Sequence, residues 1–577
     1  MIEGTALVNG FASGPLLLAN TGLSFWGGVD PNSGEIIDQH HPLFGQNISG
    51  CVLAIPNGRG SCSGSGALLE LILNDCAPAG LIFTEAEDIL TLGVLVAEAL
   101  FQRSLPVLRL SRSHFSALGK NQIALINGHQ LHTSDSHQAL PHVQPHTASE
   151  APSALVLSSL DRDILAGKQG EAASLAMTIL LKIANIQGAA SLMNVTQAHI
   201  DACIYHGPSS LRFAEAISER GAKFAIPTTL NAISVDQRRW QQHGVSDDVG
   251  QPASDLGSLY MNMGASLSYT CAPYLLDTAP SFGEQIVWAE SNAVMFANSV
   301  IGARTQKYPD FLDVFIALTG RAPASGSHLD AGRNPTVKIH VNDLASADET
   351  LWPLLGYYIG LHAGNDIPLI TGLRHLKPDV DDLKAFSAAY ATTGSSAMFH
   401  MDGITPEAAD AMEYCEHNKL PNAAITITVE HLRTSYQELN TAKEATVNAV
   451  CLGNPHFSVT ECTKLATLCN GRHKHPDVKI MVTLGRAVYD ACSKMGILET
   501  LQQFGVQFIT DTCWCMITDP VIPTGASTLM TNSGKYAHYG PALVQRGFHF
   551  GSLAECVDAA CTGSHSARMP TWLNSKE

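Results

Sequence analysis

The chain has 577 residues, with 34 lysines and arginines against 52 aspartates and glutamates, a formal net charge of −18. That length exceeds what one hydrophobic core supports and predicts roughly three to four domains. The acidic balance excludes a non-specific nucleic-acid binder, which presents a basic face, while 45% hydrophobic and 15% charged residues suit a globular enzyme.

The N-terminus reads Met1-Ile2-Glu3-Gly4, without a basic segment or a sustained apolar run, so no secretory leader is expected. No apolar run approaches the ~18 residues of a membrane span, and a soluble, cytoplasmic protein is the expectation. Fourteen cysteines are then expected as thiols, most of them small buried hydrophobes.

The first 130 or so residues carry strand-like runs at Thr5 to Val8, Leu16 to Leu18, Cys51 to Ile55, Gly80 to Phe83, Val107 to Leu110 and Ile123 to Ile126. Helical patterns at Ala67 to Asn74 and Leu90 to Gln102 separate them, which predicts a compact α/β module. Its most informative stretch is Asn57-Gly-Arg-Gly-Ser-Cys-Ser-Gly-Ser-Gly66, placed between a strand and a helix. Glycines there let backbone N–H groups approach an anion at a helix N-terminus. The lysine of a nucleotide-phosphate loop is missing; three hydroxyls and the Arg59 guanidinium stand instead, which suits a carboxylate-bearing substrate and a positioned serine.

Polar, proline-containing sequence from Thr133 to Pro152 predicts a linker, with His137, His142 and His146 solvated. Helical spacing resumes at Glu171 to Ile186. Beyond it, helices alternate with strand-like runs such as Ala424 to Val429, Val447 to Cys451, Lys479 to Val482 and Phe508 to Ile509, an α/β layer pattern. Cys271 precedes Pro273 in a loop, Cys451 ends an apolar strand, and Cys513 and Cys515 follow another. Thiols at strand ends can converge on a metal or iron–sulfur centre. Cys415, Cys462, Cys469, Cys492, Cys556 and Cys561 fall in helical contexts and are expected in the core. His199, Asp201 and His206 lie close in sequence, as either a mononuclear metal site or a structural histidine pair. Glu290, Asn298 and Arg304 put polar groups into an apolar stretch, and Asn532, Ser533, Lys535 and His538 crowd one loop. Strand-end cysteines with anion-binding loops fit a Lewis-acid dehydratase.

These strings together resemble the aconitase X family over nearly the whole chain. They are Gly27-Gly-Val-Asp-Pro31, Gly34-Glu-Ile-Ile37, the Gly58 to Gly66 loop, His199-Ile-Asp201, Pro227-Thr-Thr-Leu-Asn231, Thr270-Cys-Ala-Pro-Tyr274, Ala289-Glu-Ser291, Ala297-Asn-Ser299, Gly302-Ala-Arg304, Met398-Phe-His400 and Asn532-Ser533 with Lys535. The resemblance implies a small N-terminal α/β swivelling domain at 1–133, a linker at 134–154, and an aconitase-like multi-layer α/β catalytic portion at 155–577. It also implies an iron–sulfur hydro-lyase. One kind in the family has two subunits and dehydrates mevalonate 5-phosphate; the other is fused and dehydrates cis-3-hydroxy-L-proline to Δ1-pyrroline-2-carboxylate. This chain is fused, and Gly453-Asn454 stands where the two-subunit kind is expected to have Gly-Cys. The fused kind is therefore expected, with a 2Fe–2S cluster, no obligatory second subunit, a monomeric state, and no nucleic-acid or membrane partner.

By resemblance Cys271, Cys451 and Cys513 hold the cluster, and Cys515 is a further thiol not matched to the family pattern. Ser65 is the implied Cα base, with Ser61 its rival, and Lys535 joins them as catalytic. The implied substrate-binding set is Arg59, Ser266, Glu290, Asn298, Arg304, His400, Asn532 and Ser533, with Arg304 and Lys535 the candidates for the carboxylate.

Overall fold

A computed structural model of the protein describes residues 1–136 and 155–574, apart from His40, Gly60, Ala86, Lys120, Asn121, Asp343, Ala345, Ser346 and Ala567. The three histidines of the expected linker lie outside the described residues. Two compact units form. One comprises Met1–Ala202, His206–Pro227 and Tyr308–Gly326, the other Cys203–Tyr205, Thr228–Lys307 and Ser327–Glu577. Among the described residues no helix is long and apolar enough to cross a membrane.

The first unit opens with an α/β module. Its elements are β1 (Ile2–Glu3), β2 (Thr5–Val8), β3 (Phe11–Leu18), β4 (Val52–Ala54), α1 (Gly64–Leu73), β5 (Gly80–Phe83), α2 (Ile89–Phe101), β6 (Val107–Arg109), α3 (Arg112–Ser116), β7 (Ile123–Asn127) and β8 (Gln130–Ser134). They build one eight-stranded sheet in the order β1-β8-β7-β3-β4-β5-β6-β2. From β3 to β6 the strands run parallel, with Leu53 opposite Leu81 and Ile82 opposite Leu108. Every residue of β4 and β5 is buried, the signature of strands covered on both faces. By contrast β3 alternates buried and exposed along Phe11–Pro15, where it pairs antiparallel with β7. Helix α1, the crossover from β4 to β5, is buried from Gly64 to Ile72. It also carries Glu70, whose Oε2 accepts the Ser209 N–H at 2.8 Å. That places a carboxylate on the N-terminus of the helix Pro208–Glu219, the end where the helix dipole favours it. The helix Glu171–Ile186 buries Ala172, Ala176, Ile179, Leu180 and Ile183 on one stripe, as the sequence spacing predicts.

The second unit holds two parallel sheets. Four strands, His400–Met401, Pro368–Thr371, Val337–Val341 and Ile425–Ile427, lie side by side in that order. Five more, Val506–Thr510, Lys479–Leu484, Ala449–Leu452, Thr528–Thr531 and Gly547–Phe550, form the other sheet. In that sheet the chain steps outward from Ala449–Leu452 in one direction and then returns to build the opposite side from Thr528–Thr531. The reversal opens a crevice at the carboxyl ends of these two neighbouring strands, where ligands bind in open α/β sheets. Two helices of the unit, Leu351–Ala363 and Val380–Thr393, approach so closely that a Cβ on Gly356 would lie 2.3 Å from the Phe386 carbonyl oxygen. The chain is thus an α/β protein throughout.

Candidate active site

In the second unit, the loops that leave the two strands at the reversal carry Gly453-Asn454-Pro455-His456 and Asn532-Ser533. They are tied together by the Ser533 hydroxyl, which donates to the Asn454 carbonyl. Gly453 has φ +100°, and a Cβ there would meet the Thr483 carbonyl oxygen at 2.2 Å, so glycine is required. Buried His456 donates from Nε2 to the Thr512 carbonyl at 2.9 Å, and burial pulls its imidazole down to about 4, so it stays neutral. Its backbone N–H donates to the Cys271 sulfur at 3.2 Å. Lys384 holds the same loop from behind, with Nζ 3.3 Å from the His456 carbonyl oxygen and ion pairs to Asp381 and Glu461.

Thiols gather around this loop. Cys513 and Cys515 hydrogen-bond to each other: the bond from Cys515, against the penalty of burial, brings Cys513 down to about 7, while Cys515 is raised well above its usual range. Asn454 Nδ2 donates to the Cys515 sulfur at 3.5 Å. Cys271 is raised by burial and by the charges of Glu290 and Cys513. Cys451 is set apart from this group. Burial raises it, and Lys479 is the charge that lowers it; the Tyr536 phenol lies in the field of Cys451 as well as of Cys515 and Cys513. Among the described residues no group of three or more His, Cys, Asp or Glu side chains is gathered to hold a single metal ion. This holds equally for His199, Asp201 and His206, the mononuclear site that the sequence left open.

The charges of the site are Lys535 and Glu290. Lys535 Nζ donates to Glu290 Oε1 at 2.9 Å, with side chains 14% and 6% exposed. Burial alone would lower the lysine, but Glu290, Cys515 and Cys513 outweigh it and hold the ammonium well above its usual range. Glu290 Oε2 accepts the Ala293 N–H at 2.8 Å, capping the helix Ser291–Phe296, and the Asn292 amide at 2.6 Å. Asn292 Nδ2 also donates to the Cys271 carbonyl at 2.7 Å, which links the ion pair to the thiol loop.

Other expected substrate ligands are placed differently. Asn298 is fully buried: its Nδ2 donates to the Thr305 and Ala397 carbonyls, and its Oδ1 accepts from the Thr305 N–H and Arg333 Nη1. Two donors and two lone pairs are thereby used, which leaves this amide nothing to offer a substrate. His400 is buried and donates to the Arg333 carbonyl at 2.7 Å. Arg304 pairs with the surface residue Asp330 at 2.5 Å and donates to the His328 carbonyl. Asn298 and His400 thus belong to a hydrogen-bonded group around buried Arg333, which also pairs with Glu407. Arg333 escaped the sequence reading because its side-chain partners Asn298 and Glu407 are 35 and 74 residues away. Ser266 is exposed and Asn532 half-buried.

In the serine loop of the first unit, Arg59 pairs with Asp38 at 2.9 Å, and a Cβ on Gly58 would strike Glu87 at 2.8 Å. Ser65 is fully buried, and its hydroxyl donates to the Asp310 carbonyl at 3.0 Å. Ser61 is half-buried just ahead of α1, and its oxygen accepts the Ser63 N–H at 3.2 Å. Ser65 thus helps to hold the loop, and Ser61 sits at the helix entrance.

The four domains of the aconitase X family are matched in one polypeptide: the swivel domain at residues 1–133, the first domain at 154–331, the second at 335–437 and the third at 447–562. The chain belongs to the aconitase X family. It is 51% identical over its whole length, and over 99% of the relative's, to a Pseudomonas aeruginosa protein named cis-3-hydroxy-L-proline dehydratase. A Hypocrea jecorina protein of the same name is 50% identical over 99% of this chain and 97% of its own. The phosphomevalonate dehydratase large subunit of Methanothermobacter thermautotrophicus is 32% identical over 65% of this chain and 92% of its own. Among solved structures, Thermococcus kodakaraensis aconitase X in its holo-form superposes with a TM-score of 0.64 at 29% identity, covering 70% of this chain and all of that one.

Proposed function

We propose that this chain is a hydro-lyase that converts cis-3-hydroxy-L-proline into Δ1-pyrroline-2-carboxylate and water. The observation that carries this reading is the end-to-end identity of about half with two dehydratases of that name, on a single polypeptide that includes the swivel domain.

Ser61 is the residue we assign to abstract the Cα proton. An alkoxide is costly at neutral pH, and here the Ser63 N–H and the N-terminus of α1 favour negative charge on its oxygen. Lys535, one of whose three N–H bonds is taken by Glu290, supplies the positive charge for the substrate carboxylate. The Cα–H electron pair forms the ring double bond as the C3–O bond breaks, and the departing hydroxide takes up the proton held by Ser61, giving water and restoring the alkoxide before the enamine tautomerises to the cyclic imine.

The donor set of the second unit fits an iron–sulfur group: three thiols in mutual contact or mutual field, with a backbone N–H on one sulfur and an amide on another. Ligands of a cluster are divided among its irons, so they need not converge on one point. Cys271, Cys513 and Cys515 would hold it, with Cys515 preferred over Cys451 because of its bond to Cys513; the 2Fe–2S form rests on the family resemblance, and three thiols would leave one of its usual four ligand positions to another group. When bound, such a group supplies the Lewis acid that favours departure of the hydroxyl.

Anaerobically purified protein is expected to turn over cis-3-hydroxy-L-proline without an electron acceptor. Ser61→Ala is expected to lose activity by about 100-fold or more, and Cys515→Ser to lose iron and visible absorbance while Cys451→Ser keeps both. Absence of turnover by fully iron-loaded wild-type protein would overturn the substrate assignment, and a Cys515→Ser protein that retains its iron would overturn the ligand set.

A further inference from the structure

Two buried carboxylates, Asp310 and Asp313, flank the start of the helix Leu312–Thr319 in the first unit, and they are treated very differently. Asp313 accepts three backbone N–H groups, from Asp201 at 2.7 Å, Ala202 at 3.3 Å and Val314 at 2.8 Å. Neither carboxylate oxygen of Asp310 has a hydrogen-bond partner, although its side chain is only 1% exposed. The Nε2 of His206, 8% exposed, also lacks one, and it lies 3.7 Å from Asp310 Oδ2. A buried carboxylate without a partner is costly, so a polypeptide keeps one only where something depends on it.

What depends on it is visible in the backbone. The Asp310 N–H donates to the Cys62 carbonyl at 3.1 Å, and the Asp310 carbonyl accepts the Ser65 hydroxyl at 3.0 Å. The residue that bears the unpartnered carboxylate is therefore fastened to the serine loop on both sides. Its neighbour Phe311 is held at φ +78°, a positive angle unusual for a bulky residue, and its ring packs at a tilt against Phe213 with centroids 4.2 Å apart. The loop is shaped to the imidazole too. A Cβ on Gly66 would come within 3.1 Å of His206 Cδ2, and Trp26 meets the His206 ring edge-on at 6.5 Å. His206 was singled out in the sequence for its spacing from His199 and Asp201, a spacing that the proposed chemistry leaves unused.

We infer that His206 and Asp310 are a positioning pair for the serine loop: with its second proton the imidazole closes an ion pair onto Asp310, and the strained Asp310–Phe311 elbow then holds residues 61–66 in place. The inference rests on the reading of Ser61 as the base, because a loop that carries no reacting group would need no such fixing.

The test uses the full chain with its cofactor. Amide hydrogen exchange of residues 57–73 is measured for wild-type, Asp310→Asn, His206→Gln and the double variant, beside kcat and KM with cis-3-hydroxy-L-proline. Each single variant is expected to speed exchange in that segment at least tenfold, with the strands Leu16–Leu18 and Val52–Ala54 unchanged, and to lower kcat at least tenfold with KM within twofold. The double variant removes both charges and is expected to exchange more slowly than either single one, which loss of packing alone would not produce. Wild-type exchange in both single variants, or a double variant whose effect is the product of the two, overturns the pair. If wild-type protein fails to turn over hydroxyproline, the functional reading fails while the exchange measurement still decides the pair.

Discussion

Lys535→Met isolates what the buried ion pair with Glu290 contributes. The substitution keeps most of the side-chain volume and removes the ammonium, so Glu290 Oε1 loses its donor while Oε2 keeps the Ala293 N–H and the Asn292 amide. Breaking a buried pair by removing one partner costs about 3–5 kcal/mol. Two surviving donors on the carboxylate argue for the lower end, about 3 kcal/mol. In a unit of this size that corresponds to roughly 2 °C in Tm per kcal/mol, hence a fall of about 6 °C. Glu290→Gln leaves the lysine charge among Cys513 and Cys515 and is expected to cost roughly 2 kcal/mol. Glu290→Gln with Lys535→Met removes both charges, so its cost is expected to fall short of the sum by about 2 kcal/mol. Calorimetry of the iron-free protein reads all four corners of the cycle. Additivity within about 0.5 kcal/mol would refute the reasoning, because it would mean that the two charges do not stabilise each other.

Arg321→Met breaks a second buried pair, in the first unit, where Arg321 Nε meets Asp161 Oδ1 at 2.7 Å. Burial alone would raise Asp161, but Arg321 and the Ser158 hydrogen bonds hold it below the usual carboxylate range. A depressed folded value stabilises fully above the unfolded value near ~3.9 and is lost as pH falls through the folded one. The stability gap between wild-type and variant, read by denaturant titration, should therefore be about 3 kcal/mol at neutral pH and narrow on acidification below pH ~4; a constant gap would refute it. Gly356→Ala sets a methyl 2.3 Å from the Phe386 carbonyl oxygen and is expected to cost at least ~2 kcal/mol. Gly525→Ala meets nothing within 4 Å and should leave Tm unchanged.

Much of the framework is legible in the sequence because its signals are local. The helix Glu171–Ile186 begins and ends where its apolar spacing does, and the strands Gly80–Phe83 and Val107–Arg109 fall within the predicted runs. Helix α1 starts at Gly64, three residues before the predicted Ala67, since burial from Gly64 to Ile72 outweighs the poor helix propensity of two glycines. Cys462, Cys469, Cys492 and Cys556 are buried in helices as expected, whereas Cys415 and Cys561 are half-exposed. The site is less legible, because a side chain's role depends on what lies beside it. Asn298 looks like a substrate ligand until Arg333 and Ala397 saturate its amide. The hydroxyl of Ser65 looks free until Asp310 occupies it. Asp310 itself carries no sequence signal, since nothing near it in the chain marks an unpartnered carboxylate.

The bond from Ser65 to Asp310 joins residues 245 positions apart in one polypeptide. Parts held on one chain meet at an effective concentration set by the chain, of millimolar order for short flexible connections, however dilute the protein becomes. Specific activity should therefore hold steady on dilution, and the serine loop is always supplied in equal number with the helix that anchors it. An enzyme whose matching parts are made as separate subunits depends instead on their abundance and their balance. In this chain a single synthesis event settles both.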